Sequence, residues 1–405
     1  MHVEWLADFE LRHGRLLQLL TGKRVALAFR SMPLLAEAIL LLDGICEQML
    51  LLPADLDAAT TPCFIESSGT TLVLTDQGDM WPDAIRFMQD AGMPPQRHAE
   101  TAWLLPTSGT TGAPKLISHT TASLSRSVRP VSPGRVNRWG LLYEIPRFAG
   151  LQVYLQSLLG GGILVIPDGV DIPLHGQIEL FARNRVNALS ATPTLWRKLL
   201  MTGALESLPL TQITLGGEIA TQATLDALAA AFPGVRLTHV YASTEFGVGF
   251  SVSDGHAGFP AAWLNDPSTG LTLDPRNGEL CFRRGESLFC TGDHVEVKGN
   301  RAYFLGRLNG SINVGGNKVM PEAVENVLLQ HSAVALVAVS ALRSPLMGNL
   351  VKAEIVAKPG CTPSDDLRRE LTAHCRARLQ PFQVPAIIAF VEALATSANG
   401  KIRRV

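Results

Sequence analysis

Thr107-Ser108-Gly109-Thr110-Thr111-Gly112-Ala113-Pro114-Lys115 is the stretch that decides how this chain is read. It follows an apolar run, Ala102 to Leu105, with the length and composition of a short buried strand ending at Pro106. Glycines let the backbone turn with its N–H groups inward, hydroxyls add donors, and Lys115 adds a compact positive charge. That combination suits a polyphosphate. The nucleotide-binding P-loop needs a hydroxyl directly after its lysine to hold magnesium, and Leu116 stands there instead. A kinase-type loop is therefore disfavoured. The ordinary reading of such a composition is a polar turn between two strands.

Working outward, 405 residues suffice for two or three structural units, and 46% apolar with 18% charged residues fits a well-buried enzyme. A formal net charge of −1 leaves no global basic face, so no nucleic acid partner is expected. The cysteines (Cys46, Cys63, Cys281, Cys290, Cys361, Cys375) show no C-x-x-C spacing, which argues against a zinc site or a disulfide framework. Glu4, Asp8 and Glu10 stand where a signal peptide would be basic and then apolar. The run Pro33 to Pro53 is broken by Glu37, Asp43, Gly44 and Glu47, so no membrane span is expected. A soluble cytoplasmic protein follows as the expectation.

Along the chain, Arg24 to Phe29, Leu34 to Leu42 and Met49 to Leu52 read as strand, helix, strand, the mark of a parallel sheet. Thr71 to Leu74 offers another strand, and Gln77 to Glu100 a surface helix and connection. A helix is expected from Thr120 to Val128 and another from Leu141 to Leu158, then strands at Ile163 to Ile166, Ala188 to Ala191, Ile213 to Leu215 and Leu237 to Tyr241. Helices fall at Trp196 to Leu200 and Ala223 to Phe232. Beyond Gly278 come short alternating strands, then from Pro321 a small α+β pattern with helices at Pro321 to Gln330 and Asp366 to Leu379. The fold expected is α/β, with a large N-terminal domain of layered sheets and helices over residues 1–308. A small mobile α+β domain follows over residues 309–405.

Two further constellations carry chemistry. In Tyr241-Ala242-Ser243-Thr244-Glu245, a carboxylate at a strand tip is a natural magnesium ligand and Thr244 can bond a phosphate oxygen. Alone, the same residues also read as an N-cap threonine with an acid in the first helical turn. Asp293, in Thr291-Gly292-Asp293, can hold both hydroxyls of a ribose, or can close an ordinary turn.

The phosphate stretch resembles the corresponding loop of the adenylate-forming enzymes: acyl-CoA synthetases, peptide-synthetase adenylation domains and luciferases. Other motifs of that family occur in the same order over residues 103–405. They are Gly216-Gly217-Glu218, Tyr241 to Glu245, Thr291-Gly292-Asp293, the long run Gly306-Arg307 through Gly315-Gly316 to Lys318, and the terminal Asn399-Gly400-Lys401. The resemblance implies ATP and Mg²⁺ as cofactors, with a carboxylic acid converted to an acyl-AMP and then passed to a phosphopantetheine thiol of CoA or of an acyl carrier protein. It implies Thr107, Ser108, Gly109, Thr110, Thr111, Gly112 and Lys115 at the phosphates, and Thr244 and Glu245 at phosphate and metal. Asp293 and Arg307 would hold the ribose, while Gly216, Gly217, Glu218 and Tyr241 line the nucleotide and acyl pocket. Lys401 would act in adenylation, a point charge on a mobile domain. Asn309 falls at the hinge, and Gly315, Gly316 and Lys318 lie on the loop that enters for thioester formation.

Departures from the family pattern bear on substrate. Glu144-Ile145-Pro146-Arg147-Phe148-Ala149-Gly150-Leu151 resembles the acyl and aryl activators and lacks the aspartate that grips an amino group. Ala242 replaces a usual glycine and narrows the expected pocket, and Arg147 stands where a histidine is common. A small aromatic or short acyl acid is the expectation, with Arg147 either pairing with a polar substituent or lying on the surface. Val319 and Met320 are candidates for an apolar docking patch. The N-terminal lobe reads as shortened, which keeps open an inactive nucleotide- or acyl-binding protein. Two enzymatic readings stand beside it. One is a phosphotransferase, which Leu116 and the distant Lys401 speak against, and the other an amino-acid-activating enzyme, which the missing aspartate speaks against.

Overall fold

The computed structural model describes residues 9–57, 59–77, 84–97, 100–108, 114–169, 172–344, 347–396 and 400–402. The chain forms two compact units, each gathered from several stretches. The first comprises residues 1–190, 206–212 and 241–250, and the second residues 191–205, 213–240 and 251–405.

In the first unit the expected βαβ start is present. Strand β1 (Arg24–Ala28), helix α1 (Met32–Leu42) and strand β2 (Gln48–Leu52) follow one another, with β1 and β2 parallel. Ser31 caps α1 by accepting from Leu34 N, and Leu35, Ala38, Ile39, Leu41 and Leu42 are buried. Each such leucine or isoleucine contributes about 1.5–3 kcal/mol by leaving water. Helix α2 (Thr61–Ser68) leads to β3 (Leu72–Thr75) and the short β4 (Ile85–Arg86). No helix forms among the described residues of 77–100, where one was expected. With β5 (Ala102–Ser108) and β6 (Pro114–His119) the sheet order is β4-β3-β1-β2-β5-β6, parallel except for the antiparallel β5–β6 pair.

Strand β5 runs on through Pro106 rather than stopping there. Its pairing with β2 ends at Leu104, so the missing proline N–H breaks no bond on that side. A short helix α3 (Thr121–Ser125), strand β7 (Arg138–Gly140), helix α4 (Phe148–Leu159), and strands β8 (Ile163–Val165) and β9 (Ala188–Ala191) complete the unit's main frame. β7 pairs in parallel with both β8 and β9. Helix α4 begins later than the sequence pattern suggests because Pro146 lies just before it.

The second unit opens with α5 (Pro193–Thr202), β10 (Gln212–Gly216) and α6 (Gln222–Ala231), and β11 (Arg236–Ser243) and β12 (Gly247–Val252) continue the chain. An antiparallel sheet β13-β17-β16-β15-β14 follows, from β13 (Phe259–Pro260), β14 (Leu271–Leu273), β15 (Glu279–Arg284), β16 (Ser287–Lys298) and β17 (Arg301–Arg307). The last sheet, β19-β18-β21-β20, uses β18 (Ile312–Val314), β19 (Asn317–Val319), β20 (Val334–Ser344) and β21 (Gly348–Ala357), with β22 (Ile387–Phe390) parallel to β21. Helices α7 (Pro321–Leu329) and α8 (Asp365–Arg376) supply Val324, Leu328, Leu367, Leu371 and Cys375 to its core. Their four-residue spacing places each set on one helix face.

Two further findings differ from the expectations drawn from sequence. Cys281 and Cys290 lie opposite each other on β15 and β16 and form a disulfide, so the cysteines are not all free. Spacing along the chain does not disclose that a hairpin brings them into register. Val319 is fully buried in the last core, which removes it from any docking patch. Among the described residues no helix is long and apolar enough to cross a membrane.

Candidate active site

The β5–β6 hairpin sets the base of the phosphate stretch. Thr107 lies opposite Lys115 and Ser108 opposite Pro114, and Thr107 Oγ1 donates to Lys115 O at 3.4 Å. The Lys115 side chain is exposed. Gly109, Thr110, Thr111 and Gly112 lie outside the described residues, as does the Ser108 side chain.

At the other end of β6, His119 is buried and reaches across the unit. Its Nε2 lies 2.7 Å from Thr244 O, and its Nδ1 3.2 Å from Ser123 Oγ. Only an N–H at Nε2 can pair with a carbonyl, so the neutral ring carries its proton there. Thr244, Glu245 and Phe246 form the turn between β11 and β12, closed by Phe246 N donating to Ser243 Oγ at 3.1 Å. A hairpin turn replaces the helical N-cap that this motif also allowed. Thr244 is half-buried and Glu245 exposed, so the carboxylate faces water while the backbone behind it is tied down. Tyr241 stacks on Phe250 with ring centroids 5.2 Å apart, and Ala242 beside it is half-buried.

The substrate candidates Arg147 and Phe148 open α4. The Phe148 ring lies 6.0 Å from the His119 ring, centroid to centroid. Gly150, one turn on, admits no side chain because an added Cβ would overlap the Glu144 carbonyl. Arg147 is engaged by two carboxylates, Asp55 and Glu144, the latter at 3.5 Å. Burial, and then the neighbouring Asp55, raises the Glu144 carboxyl above the ordinary value.

In the second unit, β10 ends at Gly216, and Gly217 follows with φ +79, a left-handed conformation natural to glycine. Lys401 comes to this glycine: its Cε and Nζ lie 3.0 and 3.4 Å from where a Gly217 Cβ would stand. Glu218 accepts from Thr194 N through Oε2 at 3.0 Å and from Ile402 N through Oε1 at 3.2 Å. Asp293 and Arg307 are partners in register on β16 and β17, with Arg307 Nε donating to Asp293 Oδ1 at 2.8 Å. Thr291-Gly292-Asp293 thus sits within a strand, just before a register shift at His294, rather than in a turn after one. Asn309 is exposed in the short helical turn Leu308–Gly310. Gly315 and Gly316 turn the β18–β19 hairpin, and Lys318 is exposed opposite Asn313.

Residues 47–289 match the family model for the AMP-binding enzyme, and residues 323–401 match the model for its C-terminal domain. The chain belongs to the AMP-binding enzyme family. Similar proteins include 4-hydroxybutyrate–CoA ligase 1 of Metallosphaera sedula, 39% identical over a region covering 35% of this chain and 26% of that protein. Another is the acetyl-coenzyme A synthetase of Caulobacter vibrioides, 25% identical over 87% of this chain and 64% of that protein. Matches to these curated relatives thus span from about a quarter to under two thirds of their lengths. The fold is shared with the anthranilate CoA ligase AuaEII in complex with anthranoyl-AMP. That structure has a TM-score of 0.79 at 19% identity, covering 98% of this chain and 90% of that one. ATP-bound MatB from Rhodopseudomonas palustris gives 0.76 at 20% identity, covering 98% and 91%.

Three residues of this AMP-binding chain carry contacts that its sequence does not announce. His119 ties β6 to the Thr244 turn, Asp55 engages Arg147, and Thr192 bonds to the backbone beside Lys401. A histidine placed soon after the phosphate stretch was the one signal available for the first. Nothing in the local sequence marks the other two.

Proposed function

We propose that this chain activates a carboxylic acid with ATP to acyl-AMP and pyrophosphate, then passes the acyl group to a phosphopantetheine thiol. The observation that carries the reading is Lys401, held against Gly217 in a chain that matches its family through that residue. A substrate carboxylate oxygen attacks the α-phosphorus, and the bond from that phosphorus to the departing pyrophosphate oxygen breaks. Lys115 and the hydroxyls and N–H groups of the Thr107–Lys115 loop meet the charge on the phosphates, and Lys401 adds a cation at the reacting centre. Mg²⁺ takes one or two carboxylates together with waters and substrate phosphates, and the exposed Glu245 beside Thr244 fits that donor set. Bound there, the ion would neutralise the separating phosphates.

Asp293, oriented by Arg307, is the ribose ligand in this reading, and Gly216, Gly217, Glu218 and Tyr241 line the nucleotide. Phe148 and Ala242 bound the acid, for which a small aromatic or short acyl group fits best. The names of the neighbours, an anthranilate CoA ligase and an acetyl-coenzyme A synthetase, point the same way. Arg147 is already neutralised by Asp55 and Glu144, so it is a wall residue rather than a grip for an anionic substituent. In the second step the thiolate attacks the acyl carbon and AMP leaves, with residues 309–405 turning about Asn309 to bring Gly315, Gly316 and Lys318 inward. CoA is the favoured acceptor, ahead of a carrier protein.

The test is carboxylate-dependent exchange of labelled pyrophosphate into ATP across a panel of acids, with CoA and holo-carrier protein then offered as acceptors. Exchange with benzoate- or acetate-sized acids is expected. ADP formation without exchange would refute adenylation, and a preference for long fatty acids or α-amino acids would refute the substrate class alone.

A further inference from the structure

We propose that Thr192 and Glu218 clamp the backbone on either side of Lys401 and so position its ammonium group for acid activation. The inference rests on the catalytic reading of Lys401 given above. The residue before Lys401 and the residue after it are both held. Thr192 Oγ1 donates to Gly400 O at 3.1 Å, and Ile402 N donates to Glu218 Oε1 at 3.2 Å.

Both holding groups are themselves fixed by the first turn of α5. That turn has N–H groups with no partner inside the helix. Thr192 is the N-cap and accepts from Leu195 N at 3.1 Å, while Glu218 Oε2 accepts from Thr194 N at 3.0 Å. The Thr192 hydroxyl thus works in both directions at once, as an acceptor toward the helix and as a donor toward Gly400. It is completely buried, where a missing partner would be costly. The Glu218 carboxylate likewise divides its two oxygens between helix and tail.

Packing closes the same contact. Gly400 has φ +71, and a Cβ there would stand 3.1 Å from Leu195 Cβ and 3.4 Å from Thr192 Oγ1, so the tail lies flush on α5. Thr396 and Ile402 form an isolated antiparallel bridge, and Lys198 Nζ donates to Thr396 Oγ1 at 3.0 Å. Ile402 and Met201 both pack against the apolar cluster that contains Leu336 and Leu394. From the same helix, buried Arg197 donates to Ala335 O at 2.7 Å and to Val334 O at 3.3 Å, which fixes β20 to α5. With the backbone held at both neighbours, the Lys401 side chain runs to the bend at Gly217.

A clamp of this kind serves the half-reaction that uses Lys401, and because it ties Thr192 and Glu218 to the segment that turns for thiol transfer, it opens before that step. Thr192→Asp separates the clamp from the cap: a carboxylate still caps the helix but cannot donate to Gly400 O. Thr192→Ser retains both bonds. In the full chain, pyrophosphate exchange with benzoate or acetate should fall about tenfold or more in Thr192→Asp and recover in Thr192→Ser. Transfer to CoA from preformed acyl-adenylate should be at least as fast as in the parent in Thr192→Asp and parent-like in Thr192→Ser. Trypsin cleavage after Lys401, followed by intact mass without any substrate, should be faster in Thr192→Asp and unchanged in Thr192→Ser. If Thr192→Asp does not fold, Glu218→Gln, which keeps one of the two acceptors, should show the same faster cleavage. Parent-like cleavage and exchange in Thr192→Asp, or equal loss of both half-reactions, would overturn the clamp. Lys401→Ala identifies which reading has failed. A defect there beside a fully active Thr192→Asp overturns the clamp alone, whereas full exchange by Lys401→Ala overturns the role of Lys401 itself.

Discussion

Gly217→Ala puts a single methyl group where the lysine lies. An added Cβ would stand 3.0 Å from Lys401 Cε, 3.4 Å from its Nζ and 3.9 Å from Thr192 Cγ2. The first contact is too tight to persist, yet the partner is the end of a flexible side chain, so it yields by a few tenths of an ångström at little cost. The stability loss therefore comes from the backbone. A left-handed φ of +79 costs an alanine about 1–2 kcal/mol, and each kcal/mol lowers the melting temperature by about 2–4 °C in a unit of this size. The loss in rate comes from displaced charge: misplacement of a catalytic group by about 1 Å can cost about a hundredfold, so a smaller shift predicts about tenfold. Pyrophosphate exchange should fall by that factor. The decisive assay is the double variant Gly217→Ala/Lys401→Ala. If the methyl acts through the lysine, the double variant exchanges no more slowly than Lys401→Ala alone. Multiplying losses would refute the reasoning and make Gly217 an independent nucleotide contact.

Other expectations follow from the same structure. Asn309→Pro should restrict the hinge turn with Lys401 in place, keeping exchange but reducing acyl transfer to CoA by at least about tenfold; loss of exchange with retained transfer would contradict the hinge assignment. Ala242→Gly should extend acceptance to larger acids, read as a shift in relative kcat/KM across a homologous series; an unchanged series would remove Ala242 from the pocket wall. Glu144 has a carboxyl raised above 4.5 by burial and by Asp55, so the fold disfavours its charged form. Its penalty is absent below about pH 4.5 and grows as pH rises through the folded value, so Glu144→Gln should melt higher than the parent at pH 7 with the gap closing near pH 4.5. A gap independent of pH would refute that account.

Local order was legible without coordinates because it is written in local chemistry. The apolar runs of β1, β2 and β5, the periodicity of α1, α5 and α8, and the glycines at Gly217 and Gly315-Gly316 each constrain the backbone through neighbours a few residues away. The ordered motifs from Thr107 to Lys401 named the family for the same reason. Where local signals competed, tertiary pairing prevailed: β5 continues through Pro106, and Thr291-Gly292-Asp293 lies inside a strand because its partners β15 and β17 hold it. Other features had no local signal. Cys281 meets Cys290 only through hairpin register, Arg147 is neutralised by an aspartate 92 residues away, and His119 finds a carbonyl 125 residues on. The position of Lys401 is the extreme case, since its neighbour Gly400 bonds to Thr192 across 208 residues. A lysine near the end of a sequence reads as solvated tail until the fold supplies partners for the backbone beside it. Residue type determines what a lysine can offer, and long-range hydrogen bonds decide where the backbone around Lys401 is held.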